Sequence, residues 1–181
     1  VSLISLFFPL LAQSVLAGSF FSGFYLIDHF SQFFKSLFLL AGLAVVLMNY
    51  EFFGKEVKRN EGEFYFLLLA SILGLMLAVS SSNLLMIYLA LEMIGQTSYL
   101  LSGWQKNLMR SGEASIKYFL FGAVASAILL YGISLFYGLT GTIDLSKVVS
   151  INPAAPLPFL ALLLMILGFG FKIAMFPMQF W

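Results

Sequence analysis

The stretch "SSNLLMIYLALEMIGQTSYLLSG" runs from residue 81 to residue 103 and contains one charge, Glu92. Ser80, Ser81, Ser82 and Asn83 form a polar turn ahead of it, of the kind that caps a helix. The apolar run after that turn is about as long as the 20 or so residues that cross a bilayer. Glu92 then sits roughly 13 Å along the axis from Asn83 at about 1.5 Å per residue. A lone carboxylate at that depth costs a few kcal/mol on even the gentler insertion scales. It must face protein or water, find a partner, or stay protonated. Tyr88, Gln96 and Tyr99 lie at helical spacings from it and extend a polar stripe that ends near Ser102. Such a stripe points into a bundle. Its acid either glues helices together or belongs to an ion or proton pathway.

Composition carries the membrane reading to the whole chain. Of 181 residues, 61% are hydrophobic and 9% charged, and the mean hydropathy is +1.01. Soluble domains carry about 25% charge, so part of the solvent here is lipid. A formal charge of +1 gives no electrostatic basis for a nucleic-acid partner. The absence of cysteine excludes disulfides, thiolate zinc sites and cysteine-ligated iron–sulfur clusters. His29 is the sole histidine, which excludes a histidine-rich metal site and a bis-histidine haem. If the chain serves a redox machine, it does not carry the electrons.

Six apolar segments are expected, at approximately 1–18, 31–49, 64–80, 83–102, 114–138 and 157–178. Asp28 and Ser31 cap the second, and Asn49 with the charges after it closes it. Gly112 and Glu113 precede the fifth, "GLTGTIDLS" ends it, and Pro153, Pro156 and Pro158 precede or open the sixth. The fold class is all-α, a polytopic transmembrane bundle. The small residues ending the first segment resemble a signal peptide, but the basic n-region is missing. Lys55, Lys58, Arg59, Lys106 and Arg110 fall in two loops on one side, against Lys147 alone on the other. The positive-inside rule puts the first two loops in the cytoplasm or its equivalent. Val1 and Trp181 both read as cut ends.

Lys172 is the strongest mate for Glu92. With level helix starts, it lies about 22 Å down its helix against about 13 Å for Glu92. That gap calls for tilt, a helix break or bridging water. Pro177 supplies a reason for the helix to break. The plain alternative is a Lys172 that snorkels to the inner surface. Lys117 follows Glu113 by four residues, the favourable order for a local ion pair, and is either that or an intermediate proton site. Ser126, Tyr131 and Ser134 fall on different faces of that helix. Lys35 reads as a snorkelling residue near the outer surface, His29 as an interfacial hydrogen-bonding group, and Trp104 as an interfacial anchor. Gly122, Ala123, Ser126 and Ala127 form a small-residue face for close packing. No phosphate loop, dinucleotide fingerprint or H-E-x-x-H metal motif is present.

"NLLMIYLALEMIGQTSYLLSGW", "SGEASIKYFLFGAVASAILLYGISLFYGLTGT" and "GFGFKIAMFPMQFW" resemble the antiporter-like membrane subunits of respiratory complex I, nearest the subunit N family, also called chain 14 or NADH dehydrogenase chain 2. The resemblance extends over most of residues 24–181. It implies a fold of about fourteen helices with two inverted five-helix repeats, each with a broken helix. Residues 1–181 then correspond to helices two to seven. Glu92 falls on the family's fifth-helix glutamate, Lys117 on its sixth-helix lysine and Lys172 on the lysine of the broken seventh helix. Gln179 stands where the family's "VPFHFW" motif usually has histidine.

The resemblance further implies a membrane-arm subunit of a proton-pumping NADH:quinone oxidoreductase. Protons move through Glu92, Lys117 and Lys172, with Tyr88, Gln96 and Tyr99 in support and Pro177 breaking the helix. Glu92 modulates the proton affinity of Lys172. The chain itself holds no cofactor or metal; FMN, iron–sulfur clusters and quinone belong to other parts of the complex. Partners are the lipid bilayer and other membrane-arm subunits, especially the antiporter-like ones. The location is a bacterial inner membrane, with thylakoid or mitochondrial inner membrane as alternatives. A subunit of a cation/proton antiporter complex, an unrelated secondary transporter and a purely structural membrane-arm subunit are the competing readings.

Overall fold

The computed structural model describes residues 18–21, 23–52, 61–145, 155–176 and 178. It is a helical bundle with a short β-hairpin at one end. The hairpin pairs β1 (Gly18–Phe20) with β2 (Tyr25–Ile27) antiparallel, Ser19 opposite Leu26. The helices are α1 (His29–Phe52), α2 (Glu61–Val79), α3 (Leu84–Ser102), α4 (Met109–Thr140) and α5 (Pro156–Lys172). The first four are long and apolar enough to cross a membrane. The expected segment at 1–18 falls almost entirely outside the described residues, as do Lys55, Lys58, Arg59, Lys147, Pro153, Pro177, Gln179 and Trp181.

The helix starts follow from side chains that accept hydrogen bonds from otherwise unpaired amides. Asp28 Oδ1 accepts from Ser31 N at 2.7 Å, while Ser31 Oγ accepts from Asp28 N at 3.1 Å. This reciprocal box fixes the start of α1. The Ser31 backbone N–H, followed by its hydroxyl, holds the Asp28 carboxyl below the usual carboxylate range, with Lys35 adding a smaller pull. A depressed carboxylate stabilises above that range, and its contribution is lost as pH falls through the lowered value. Asp28→Ala is expected to cost about 1 kcal/mol, read as a lower unfolding midpoint at neutral pH, with the difference shrinking in acid. Asn83 Oδ1 accepts from Leu85 N at 3.0 Å and Met86 N at 3.4 Å, which starts α3.

The helix ends depart from expectation in two places. α4 begins at Met109, five residues before the expected boundary, and runs for 32 residues. Nothing in "MRSGE" forbids helix, since a single glycine costs only about 1 kcal/mol. It ends where Gly141 takes a left-handed φ of 67° and donates to Tyr137 O at 2.8 Å. α5 stops at Lys172 after 17 residues, six short of the expected segment end. Ala174 has a φ of 51° and donates to Phe171 O at 3.0 Å, while Met175 donates to Gly170 O at 2.8 Å. That pair of bonds is the Schellman stop, usually built on glycine. An L-residue in this conformation is strained by roughly 1–2 kcal/mol. Ala174→Gly is expected to raise thermal stability by up to about 1 kcal/mol, and an unchanged or lower midpoint would contradict the strain.

α2 packs on α1 and α3, α3 on α4, and α4 on α5. One core cluster joins Leu84, Leu129, Ile133, Phe136 and Met165, with Tyr88 and Phe169 against it; a second joins Leu39 and Ile72. The hairpin departs from the all-helical expectation, because three-residue strands carry too little alternation to register in sequence. It is tied down at one end of the bundle. Leu26 N donates to Ser80 O at 2.7 Å, and Ser82 Oγ to Gly23 O at 2.7 Å. Residues after α4 close the same end, with Leu84 N on Ile143 O and Leu145 N on Ser82 O. At the other end Trp104 stacks edge-on against Phe64, with centroids 5.5 Å apart.

Candidate functional site

Three helices bring the site together. Glu92, eight residues after the start of α3, accepts from Lys172 Nζ, the last residue of α5, at 3.0 Å. The side chains of Lys172 and Glu92 are 11% and 22% exposed. Ser126 Oγ of α4, itself buried, donates to the same carboxylate oxygen. The acid is thus answered by one full charge and one hydroxyl, which is what a charge in a low-dielectric bundle requires.

The expected axial gap between Glu92 and Lys172 does not separate them, and they meet without an intermediary. Leu84, the first residue of α3, shares a core cluster with Met165, nine residues after the start of α5, so the two helices do not start level. Side chains also lean toward a helix's N-terminus, so the long lysine stem reaches back along α5. Its place at the helix C-terminus suits a cation as well, because the unpaired carbonyls there carry negative partial charge.

Glycines permit this approach. A β-carbon on Gly95 would stand 3.1 Å from Lys172 Nζ and 3.0 Å from the Tyr99 hydroxyl; one on Gly122 would stand 2.0 Å from that hydroxyl. Tyr99 is buried between α3 and α4. Its ring lies 6.0 Å from Lys172 Nζ and 4.6 Å from that of Tyr118, edge to face. Gly95→Ala is expected to push the ammonium off Glu92 by a few tenths of an ångström. The strained pair then shows as a lowered unfolding midpoint, and an unchanged midpoint would argue against a close fit at Gly95.

The expected polar stripe survives in part. Tyr88 is half-buried and Tyr99 buried, but Gln96 is exposed. At about 100° per residue, Tyr88 and Tyr99 lie about 40° and 20° to one side of Glu92, and Gln96 about 40° to the other. The buried sector is the first side, centred toward Gly95. Lys117 stays in its own ion pair with Glu113, both side chains more than half exposed. Ser126 is the residue whose partner sequence reasoning misses. It is named there beside Lys117, and again on the small-residue face with Gly122, but its spread from Tyr131 and Ser134 gives no single path and does not point to Glu92. Lys35, expected to snorkel, is instead 2% exposed and donates to the Tyr25 hydroxyl at 2.8 Å.

The family model for the membrane-spanning region of NADH:quinone oxidoreductase and Mrp antiporter subunits matches residues 81–181. The chain belongs to this antiporter-like family. It is 41% identical, over 98% of its length, to NADH-quinone oxidoreductase subunit N of Chlorobium chlorochromatii, covering 36% of that relative. It is 44% identical, over 91% of its length, to subunit N of Desulfitobacterium hafniense, covering 33% of it. The chain therefore spans about a third of the length of these curated relatives. Respiratory complex I from Thermus thermophilus with bound aureothin contains a chain that superimposes with a TM-score of 0.80 at 36% identity, over 99% of this chain and 38% of that one. The archaeal membrane-bound sulfane sulfur reductase gives a TM-score of 0.70 at 26% identity, over 86% of this chain and 31% of its counterpart. All three helices that meet at Glu92 fall within the matched region.

Proposed function

We propose that the chain is part of a membrane-arm subunit of a proton-pumping NADH:quinone oxidoreductase in a bacterial inner membrane. It works beside other antiporter-like subunits, binds no cofactor itself, and conducts protons driven by quinone reduction elsewhere in the complex. The observation that carries this reading is the part-buried Glu92–Lys172 contact at 3.0 Å, made at the point where α5 stops. Similarity to subunit N over nearly the whole chain supports it.

The chemistry follows from the pair. While Glu92 is ionised and in contact, it holds Lys172 as an ammonium. When the pair is drawn apart, or Glu92 takes up a proton, the ammonium loses its counter-charge and passes a proton onward. Charge on one partner thus sets the state of the other. Ser126 steadies the carboxylate in the open state by its hydroxyl bond. Lys117, with Glu113, supplies the relay toward the inner side, where its exposure allows exchange with water.

The test is proton translocation per electron in the assembled, full-length complex carrying Glu92→Gln or Lys172→Met. Both variants are expected to keep electron transfer through the redox arm and to lower the proton-to-electron ratio. An unchanged ratio in both assembled variants overturns the assignment. Lys117→Gln is expected to give a smaller fall in the ratio, because water can partly replace an exposed relay.

A further inference from the structure

Lys35 is the one charged residue among the described buried side chains, and the Glu92 site does not use it. It lies on the buried stripe of α1 formed by Ser31, Lys35 and Leu39, at helical spacing. Its Nζ donates to the Tyr25 hydroxyl at 2.8 Å and stands 4.7 Å from the centroid of the same ring. Among the described residues, no carboxylate comes within ion-pair distance of it. Asp28 is near enough to feel its charge, but spends Oδ1 on the Ser31 amide. An ionisable group held inside a membrane bundle by a neutral phenol is an expensive arrangement that packing alone would have met with leucine.

Tyr25 leads outward. Its backbone bridges Ser81, and its neighbour Leu26 binds Ser80 O. Leu26, Ser80, Ser81 and Ser82 line a hollow of about 460 Å³ that also holds the carboxylates of Asp28 and Asp144. Beside it, Ser80 Oγ is buried without a described hydrogen-bond partner.

We propose that Lys35 is a second protonatable station, at the outer end of the bundle, that releases protons to the outer face through Tyr25 and this hollow. In the step, a Lys35 N–H bond breaks as the Tyr25 oxygen gains that proton. The phenol's original proton leaves to water or to the Asp28 or Asp144 carboxylate. The ammonium becomes an amine, and the displaced positive charge arrives at the outer side. Reprotonation of the amine resets the station. The inference rests on the proton-conducting reading above.

The experiment measures the proton-to-electron ratio of the full-length complex in membrane vesicles for Lys35→Arg and Tyr25→Phe, with Glu92→Gln as reference. Arginine keeps the positive charge and the donors, but does not give up a proton in proteins. A clamp that merely pins the hairpin would therefore be rescued by it, and a proton station would not. The expected result is an assembled Lys35→Arg complex, active in electron transfer, whose ratio falls as far as that of Glu92→Gln. A wild-type ratio in Lys35→Arg overturns the proposal. If that variant does not assemble, Tyr25→Phe decides: a lowered ratio supports the station, and an unchanged ratio overturns it. Should Glu92→Gln also pump normally, the proton-conducting reading itself falls; normal pumping in the Lys35 and Tyr25 variants alone removes only the outer station.

Discussion

Lys172→Met is expected to destabilise the folded bundle by about 3 kcal/mol, the low end for a buried pair, because the pair is part-buried and removing one partner strands the other charge. Glu92 would remain 22% exposed with Ser126 as its only described donor. The double substitution Glu92→Gln with Lys172→Met removes both charges and is expected to recover most of that loss. Replacing a whole buried pair by neutral groups is often close to neutral. Unfolding midpoints of the single and double variants in one detergent or nanodisc close a double-mutant cycle. The coupling should exceed about 2 kcal/mol, within the range for contacting residues. Additive single effects would mean that the 3.0 Å contact is not an energetic unit, and Glu92 would lose its claim to control Lys172. The cycle also separates stability from transport: a double variant that folds well but does not pump shows that the charges are kept for conduction.

Gly168→Ala should be nearly as damaging, by a different route. A β-carbon there would meet Leu129 Cβ at 2.4 Å, Leu129 Cα at 2.9 Å and Ala125 O at 3.1 Å. Two of those atoms are backbone, so α5 must move away from α4 as a body. Overpacking of this sort costs about 1–3 kcal/mol, and the shift also drags Lys172, four residues on, from its carboxylate. Gly122→Ala meets closer contacts, the Tyr99 hydroxyl at 2.0 Å and its ring carbons at 2.5 and 3.0 Å, but all three belong to one side chain, so the strain falls on Tyr99 and not on a helix backbone. The expected order of damage to stability is therefore Gly168→Ala before Gly122→Ala, despite the shorter distance in the latter. The reverse order would show that Tyr99 is the more rigid element.

Hydropathy and capping chemistry make much of this architecture legible. Asp28, Asn83 and Gly141 act where their side chains or backbone freedom place them, because caps are local and depend on a few neighbouring residues. Glu92 and Lys172 are readable as a pair because charge is scarce in the chain, which leaves few partners to choose from. Lys35 misleads because length alone permits a lysine to snorkel. Its burial depends on a hairpin from earlier in the chain, whose strands are too short to announce themselves. The link from Ser126 to Glu92 is hidden for a related reason: a serine beside glycine and alanine looks like close packing until the facing helix is known. Gln96 lies on the other flank of the stripe and is exposed in this chain, since the stripe is two-sided in sequence and the packing of α4 decides which flank it covers.

The backbones of α3 and α5 barely approach each other, and α4 packs between them. Their charges nevertheless meet, over the Ser126 hydroxyl. A slide of α5 along α4 would therefore shift Met165 and Phe169 against Leu84 and Tyr88 in the shared core, and with them the one described ion pair that joins the outer two helices. Under the proposed function, the middle helix would act as a bearing and the ion pair as a contact that such motion makes and breaks.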